Sequence, residues 1–307
     1  MAEARGRGRL QPGGPGRAAL PPHLTASRMR RLSLIAALAA ALAGPARAQT
    51  APELAPGAPD LAPGAPDPAR QDLAPGGVLR AAINFGNPVL ARRDPATGAP
   101  EGVSVDLARE FGRRLGVPVV LVTYEGAGFV SDAATRDAWD ICFLAVDPQR
   151  AQAIAFTAPY LLIEGTYLVR AESSLRTVED ADRDGVRIAV GRGSAYDLHL
   201  SRTLRRAQLV RAATSAEALA LFAAQELDAA AGVAQPLKAY AAAHPGLRVI
   251  PGRFMAIAQA VGMRPGREAG LRRLRDLVEA AKAEGLVAAA LRAHGQDATV
   301  AGPDRPR

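Results

Sequence analysis

The stretch DPQRAQAIAFTAPY, residues 147–160, decides how this chain is read. It follows DICFLAV (140–146), a continuous apolar run of the kind that forms a strand covered on both faces, and it opens on a proline turn. Arg150 stands in that turn. A guanidinium forks two parallel N–H donors onto a planar carboxylate, which a lysine ammonium does not do geometrically. An isolated arginine in a charged turn is ordinarily a solvated surface group, so its meaning depends on what surrounds it.

Working outward, a second anion-friendly feature lies at IAVGRGSA (188–195), a strand followed by Gly191, Gly193 and Ser194 at the start of a helix. Such a turn offers free N–H groups and the positive end of the helix dipole. It is not a dinucleotide fingerprint, because Tyr196 occupies the third glycine position. Around these two turns, strand and helix patterns alternate. Strands are predicted at 78–83, 117–123, 140–146, 186–190, 208–212, 228–232, 247–250 and 259–264. Leu107, Phe111 and Leu115 mark one helix face, and further helices are predicted at 194–206, 215–225, 235–243, 268–282 and 284–294, the last stopped by Gly295. Ser194-x-x-Asp197 and Thr214-x-x-Glu217 read as capping boxes. The alternation predicts an α/β fold with mainly parallel sheets.

The chain has 307 residues, 49% hydrophobic and 22% charged, so it is long enough for two domains and is neither disordered nor fibrous as a whole. The formal charge of +8 suggests nucleic acid until it is located. Residues 1–48 hold eight arginines and one acid, Glu3, whereas the rest of the chain carries 30 basic and 29 acidic groups. The basicity belongs to the front end, and a nucleic-acid partner is not supported. Residues 29–48, MRRLSLIAALAAALAGPARA, have a basic start, a short apolar stretch and Ala46-Arg47-Ala48, the layout of a secretory signal cleaved after Ala48. Residues 1–28 are expected to precede the true start, Met29. No cysteine follows the signal to carry a lipid anchor, so the expected location is the periplasm. Residues 49–77 repeat LAPGAPD-like units and are expected to form a disordered linker.

Residues 147–160 resemble the bacterial extracellular solute-binding proteins of family 3, the polar amino-acid receptors of ABC importers. Two more segments share the resemblance in the same order and spacing: Gly102-Val103-Ser104-Val105-Asp106-Leu107-Ala108, and the Gly-Ser turn at 188–195. The similarity covers roughly 78–298. It implies a two-lobed Venus-flytrap fold of the type II periplasmic-binding-protein class, with two hinge crossovers. Lobe 1 would comprise 78–162 plus 256–300 and lobe 2 163–255, leaving 301–307 as a tail. It further implies that Arg150 grips a ligand carboxylate, helped by the backbone N–H of Ala145 and by Gly193, Ser194 and Ala195. Asn84, Phe85, Tyr124 and Gln235 would shape selectivity. A small carboxylate ligand, an importer permease in the inner membrane and a monomeric state are the implied partners and form, with no cofactor.

Departures from the family concern the rest of the ligand. The acid that usually holds an ammonium group is replaced by Val233. Asn84 and Asn87 stand where an aspartate and an aromatic are common, and 124–128 carries small residues in place of a stacking aromatic. Glu125 or Glu164 would have to supply the missing negative charge. Two rivals use the same scaffold: a cyclohexadienyl-dehydratase-like enzyme, needing Glu164 or Glu125 as a cleft acid, and a sensory receptor feeding another membrane partner. The four histidines are scattered and the single cysteine, Cys142, lies in an apolar strand, so neither a metal site nor a nucleophile is expected.

Overall fold

The computed structural model describes residues 67–304. The expected signal, the residues before it and linker residues 49–66 lie outside the described residues, as do 305–307. The first element, α1 (Pro68–Leu73), falls inside the stretch expected to be disordered as far as residue 77. Asp67 caps it by accepting the Ala69 amide (2.9 Å), and Pro68 sits at the first helical position, where no N–H is needed. Leu73 is fully buried, and Asp72 Oδ2 accepts the Gly270 amide at 2.8 Å. Residues 68–74 are therefore part of the fold and not of a disordered linker: Leu73 and Ala74 give this end of the repeat an apolar surface to bury.

After β1 (Leu79–Asn84), a small hairpin of β2 (Arg92–Arg93) and β3 (Pro100–Glu101) leads into α2 (Val103–Leu115). This helix buries Val103, Leu107, Phe111 and Leu115 as one stripe, as the periodicity predicts. Next come β4 (Val119–Tyr124), the short α3 (Ala127–Asp132) and β5 (Ile141–Ala145). β1 lies between β4 and β5, parallel to both. A single turn at Arg150–Gln152 precedes β6 (Ala155–Arg170), a strand of 16 residues.

The second half holds β7 (Arg187–Gly191), α4 (Ala195–Thr203), β8 (Gln208–Ala212), α5 (Ser215–Ala224), β9 (Ala229–Val233), α6 (Ala234–Ala243) and β10 (Leu247–Val249). Here β7 is the central strand, parallel to β8 and β9. The chain returns through β11 (Met255–Met263), which begins four residues before the predicted strand, and closes with α7 (Glu268–Ala283), α8 (Leu286–Ala293) and β12 (Thr299–Val300). The expected tail is held as well: the Ala301 amide donates to Tyr160 O, and Lys282 Nζ to Gly302 O (2.8 Å).

The strand order β4-β1-β5-β11-β6-β9-β7-β8 places the two parallel sets at opposite ends, joined by antiparallel β11 and β6. The sheet is thus mixed, and parallel only within each half. β6 pairs with β11 along its first part and with β9 from Gly165 onward, so these two long strands are the connections between lobes. Each lobe buries its own core. Phe111, Phe143, Leu274 and Val278 lie in the first, and Tyr167, Ile188 and Leu200 cover one face of the second, with Phe222 and Leu237 on the other. No described helix is long and apolar enough to cross a membrane.

Candidate ligand-binding site

Arg150 is held where two lobes meet. β5 is buried along its length and ends at Ala145; Asp147 then folds the chain back, its Oδ1 accepting the Gln149 amide (2.8 Å) and its carbonyl the Ala151 amide. This turn drives the Arg150 side chain inward, leaving the residue only 4% exposed. Nη1 donates to Ala145 O (2.9 Å) and Nη2 crosses to Gly193 O in the second lobe (2.8 Å). Nε is buried with no acceptor. Burial pushes the guanidinium down to about 10, against the pull of Asp147, so it is charged at neutral pH. Asp147 does not neutralise it by contact: its other oxygen accepts Arg202 Nη2 from α4 at 2.6 Å. A buried cation facing carbonyls alone, with one donor unmatched, favours an incoming anion.

The opposite wall is the start of α4. Ser194 caps the helix, its Oγ accepting the Asp197 amide (3.1 Å). Asp197 reaches back past Ser194 to the Gly193 amide (2.8 Å) and also pairs with Arg211 Nε (2.9 Å). The Ser194 amide donates to Gly191 O. Of the three residues expected to offer amides, Gly193 and Ser194 therefore already have theirs engaged. Ala195, in the first turn, has no intrahelical acceptor. Asp197, at the third helical position, takes the Gly193 amide, and the tight turn itself takes the Ser194 amide onto Gly191 O.

Gly193 (φ +67°) meets Gly128 of α3 backbone to backbone; a Cβ on Gly193 would stand 2.7 Å from Gly128 Cα, and one on Gly128 2.7 Å from Arg192 O. The missing side chains let the walls close on a cavity of about 30 Å3. Asn84, Asn87, Ala145 and Arg150 line it from the first lobe. Ser194, Ala195, Tyr196, Ser215 and Val233 face them, with Gln259 of β11 at the base.

Five of the predicted residues thus converge on the cavity (Arg150, Ala145, Ser194, Ala195 and Asn84), and Gly193 touches Arg150. Three do not line it. Phe85 lies under the Arg93 guanidinium, 4.3 Å from its ring centroid. Tyr124 packs against the core around Trp139. Gln235 donates through Nε2 to Asp297 O. Glu125 and Glu164 are outside too, half-exposed and paired with Arg93 (2.6 Å) and Arg253 (2.8 Å). Tyr196, Ser215 and Gln259 were not anticipated. Only Gln259 left a signal, as the polar residue in an otherwise apolar strand that turns out to be buried. Cys142 is fully buried, which pushes its thiol up to about 12. Among the described residues no three His, Cys, Asp or Glu side chains cluster as metal ligands.

The fold and cavity define a two-lobed α/β binding protein whose cleft carries a buried arginine. The profile of the bacterial extracellular solute-binding proteins, family 3, matches residues 80–296, and the chain belongs to that family. Among curated proteins none matches it in sequence. Solved structures share the fold. A variant of ArgBP from T. maritima is 22% identical, with a TM-score of 0.64 over 74% of this chain and 99% of that one. The cysteine-binding protein from Campylobacter jejuni is 19% identical, with a TM-score of 0.65 over 76% and 99%. The ancestral amino acid-binding protein AncCDT-1, a precursor of cyclohexadienyl dehydratase, is 22% identical, with a TM-score of 0.62 over 73% and 98%.

Proposed function

We propose that the protein is a periplasmic receptor that captures a small carboxylate-bearing solute of amino-acid size between its lobes and presents the closed form, as a monomer, to the permease of an ABC importer. The buried, incompletely matched guanidinium of Arg150 carries this reading. A carboxylate entering the cavity would take Nε together with one Nη as a fork and replace Gly193 O as the acceptor. Binding then favours the closed arrangement in proportion to its extra affinity for it. The family assignment supports an extracellular role, and the secretory layout of residues 29–48 supports export.

The test is calorimetry of the wild type and Arg150→Gln against amino acids, short dicarboxylates and oxo acids. Loss of the buried counter-charge should weaken the best ligand at least about 100-fold. Unchanged affinity would overturn the assignment. A dehydratase reading suits the ancestral neighbour but needs a proton donor at the leaving hydroxyl. Among the described residues no carboxyl group lines the cavity, and Glu125 and Glu164 are turned outward into ion pairs. Incubation with prephenate or arogenate should give no product.

A further inference from the structure

We infer that the solute preferred by this cavity is a small organic anion without an ammonium group, a 2-oxo or 2-hydroxy acid of about two to four carbons, rather than an amino acid. The inference rests on the receptor reading above and specifies its ligand. Three observations carry it.

The first is the charge of the walls. Among the described lining residues Arg150 is the only charged group. The two nearest acids are engaged elsewhere, Asp147 with Arg202 and Asp197 with Arg211 and the Gly193 amide. A zwitterion would bring its ammonium into a space that holds a buried cation and no carboxylate, so the ammonium would lose its water without compensation. An acid bearing an oxo or hydroxyl group at the same carbon brings no such charge.

The second is the polarity of the hydrogen-bonding groups, which are biased toward donors. Asn84 Oδ1 accepts the Gly86 amide (2.9 Å) and Asn87 Oδ1 the Val89 amide (3.3 Å), leaving each side chain its NH2. Ser215 Oγ accepts from Tyr196 Oη (2.6 Å), which leaves its own hydrogen to spare, while Ser194 Oγ accepts from Asp197 N and is itself hydrogen-bonded to the Tyr196 hydroxyl. With Arg150 Nε and the Ala195 amide, these donors outnumber the acceptors that face them, the Gln259 amide oxygen and the Ala145 and Gly193 carbonyls, none of which carries the negative charge that a buried ammonium needs. Oxygen-rich anions need donors; an ammonium needs acceptors.

The third is size. A cavity of about 30 Å3 favours short-chain solutes over long ones, and within a series of equal size, such as the oxo, hydroxy and amino acids of three carbons, the choice falls to the chemistry of the walls.

The three-carbon series pyruvate, L-lactate and L-alanine isolates the question, because its members differ only at the second carbon. Calorimetry on the wild-type protein should give a Kd for pyruvate or L-lactate at least about tenfold below that for L-alanine. Val233→Asp places a carboxylate on the cavity wall at the N-cap of α6, a position that tolerates aspartate, and should raise relative affinity for L-alanine about tenfold. L-alanine binding as tightly as either acid, with Arg150→Gln abolishing it, would sink the inference and leave the receptor standing. Failure of the wild type to retain either acid would overturn it equally. Affinities untouched by Arg150→Gln would instead remove the receptor reading itself.

Discussion

At the scale of single residues, Arg150 behaves as a charge waiting for a partner. Its pKa falls because burial penalises the cation, and a bound carboxylate favours the charged form. Affinity should therefore hold level through the neutral range and weaken above about pH 10, where the unliganded guanidinium begins to lose its proton. Titrations at neutral pH and above about 10 check this; affinity rising with pH would contradict it. Arg150 was legible because its neighbours form a motif. Phe85 was misplaced for a reason that pattern cannot supply. β1 ends at Asn84, so Phe85 falls in the turn that follows, where its ring lies under the Arg93 guanidinium and away from the cavity. Tyr124 ends β4, the outermost strand, one strand further from the cleft than β1. Gln235 sits near a cavity-lining residue, Val233, yet its side chain follows the helix toward Asp297.

At the scale of elements, two contacts tie the C-terminal helices to the rest. Glu110 of α2 accepts from Arg113 (2.8 Å) and Arg114 (2.6 Å), and Arg114 also reaches Glu284 at the end of α7 (3.0 Å). The hydrogen bond from Arg113, aided by Arg114, lowers the Glu110 carboxyl to about 2 from the usual 4.5. With the folded pKa below the unfolded one, the contribution is present above about pH 4.5 and lost as pH falls toward 2. Urea midpoints should place Glu110→Gln below the wild type at neutral pH, with the gap closing as pH drops through that window; a constant gap would refute the linkage. The second contact is α1. Leu73→Ala should cost about 2–5 kcal/mol by urea unfolding, since the side chain is wholly buried; a linker residue would cost nothing. Helix periodicity and caps were readable, whereas β6, the longest strand, was not. Pro159 and Gly165 within it argue against a central strand. The structure accommodates Pro159 opposite Ala260, where the pairing with β11 slips register and no regular ladder hydrogen bond is required.

At the scale of the whole molecule, the lobes touch through Arg150 and Gly193 O, through Asp147 and Arg202, and through the bare backbones of Gly128 and Gly193. Gly128→Ala adds a methyl 2.7 Å from Arg192 O without entering either core. Solute affinity should fall about tenfold while the unfolding midpoint stays put, and small-angle scattering should record a larger radius of gyration with solute present. Unaltered affinity would mean that the glycine contact does not govern closure. The two lobes and their crossings were legible only through resemblance to a family, because alternating strands and helices look alike whether they build one sheet or two. The ladder between β6 and β11 breaks step twice, between Gln259 and Ala260 and between Ala260 and Gly262, close to Gln259 at the cavity base. A ribbon with missing rungs flexes like a leaf spring, so the tempo of catch and release can be retuned by residues that never meet the guest.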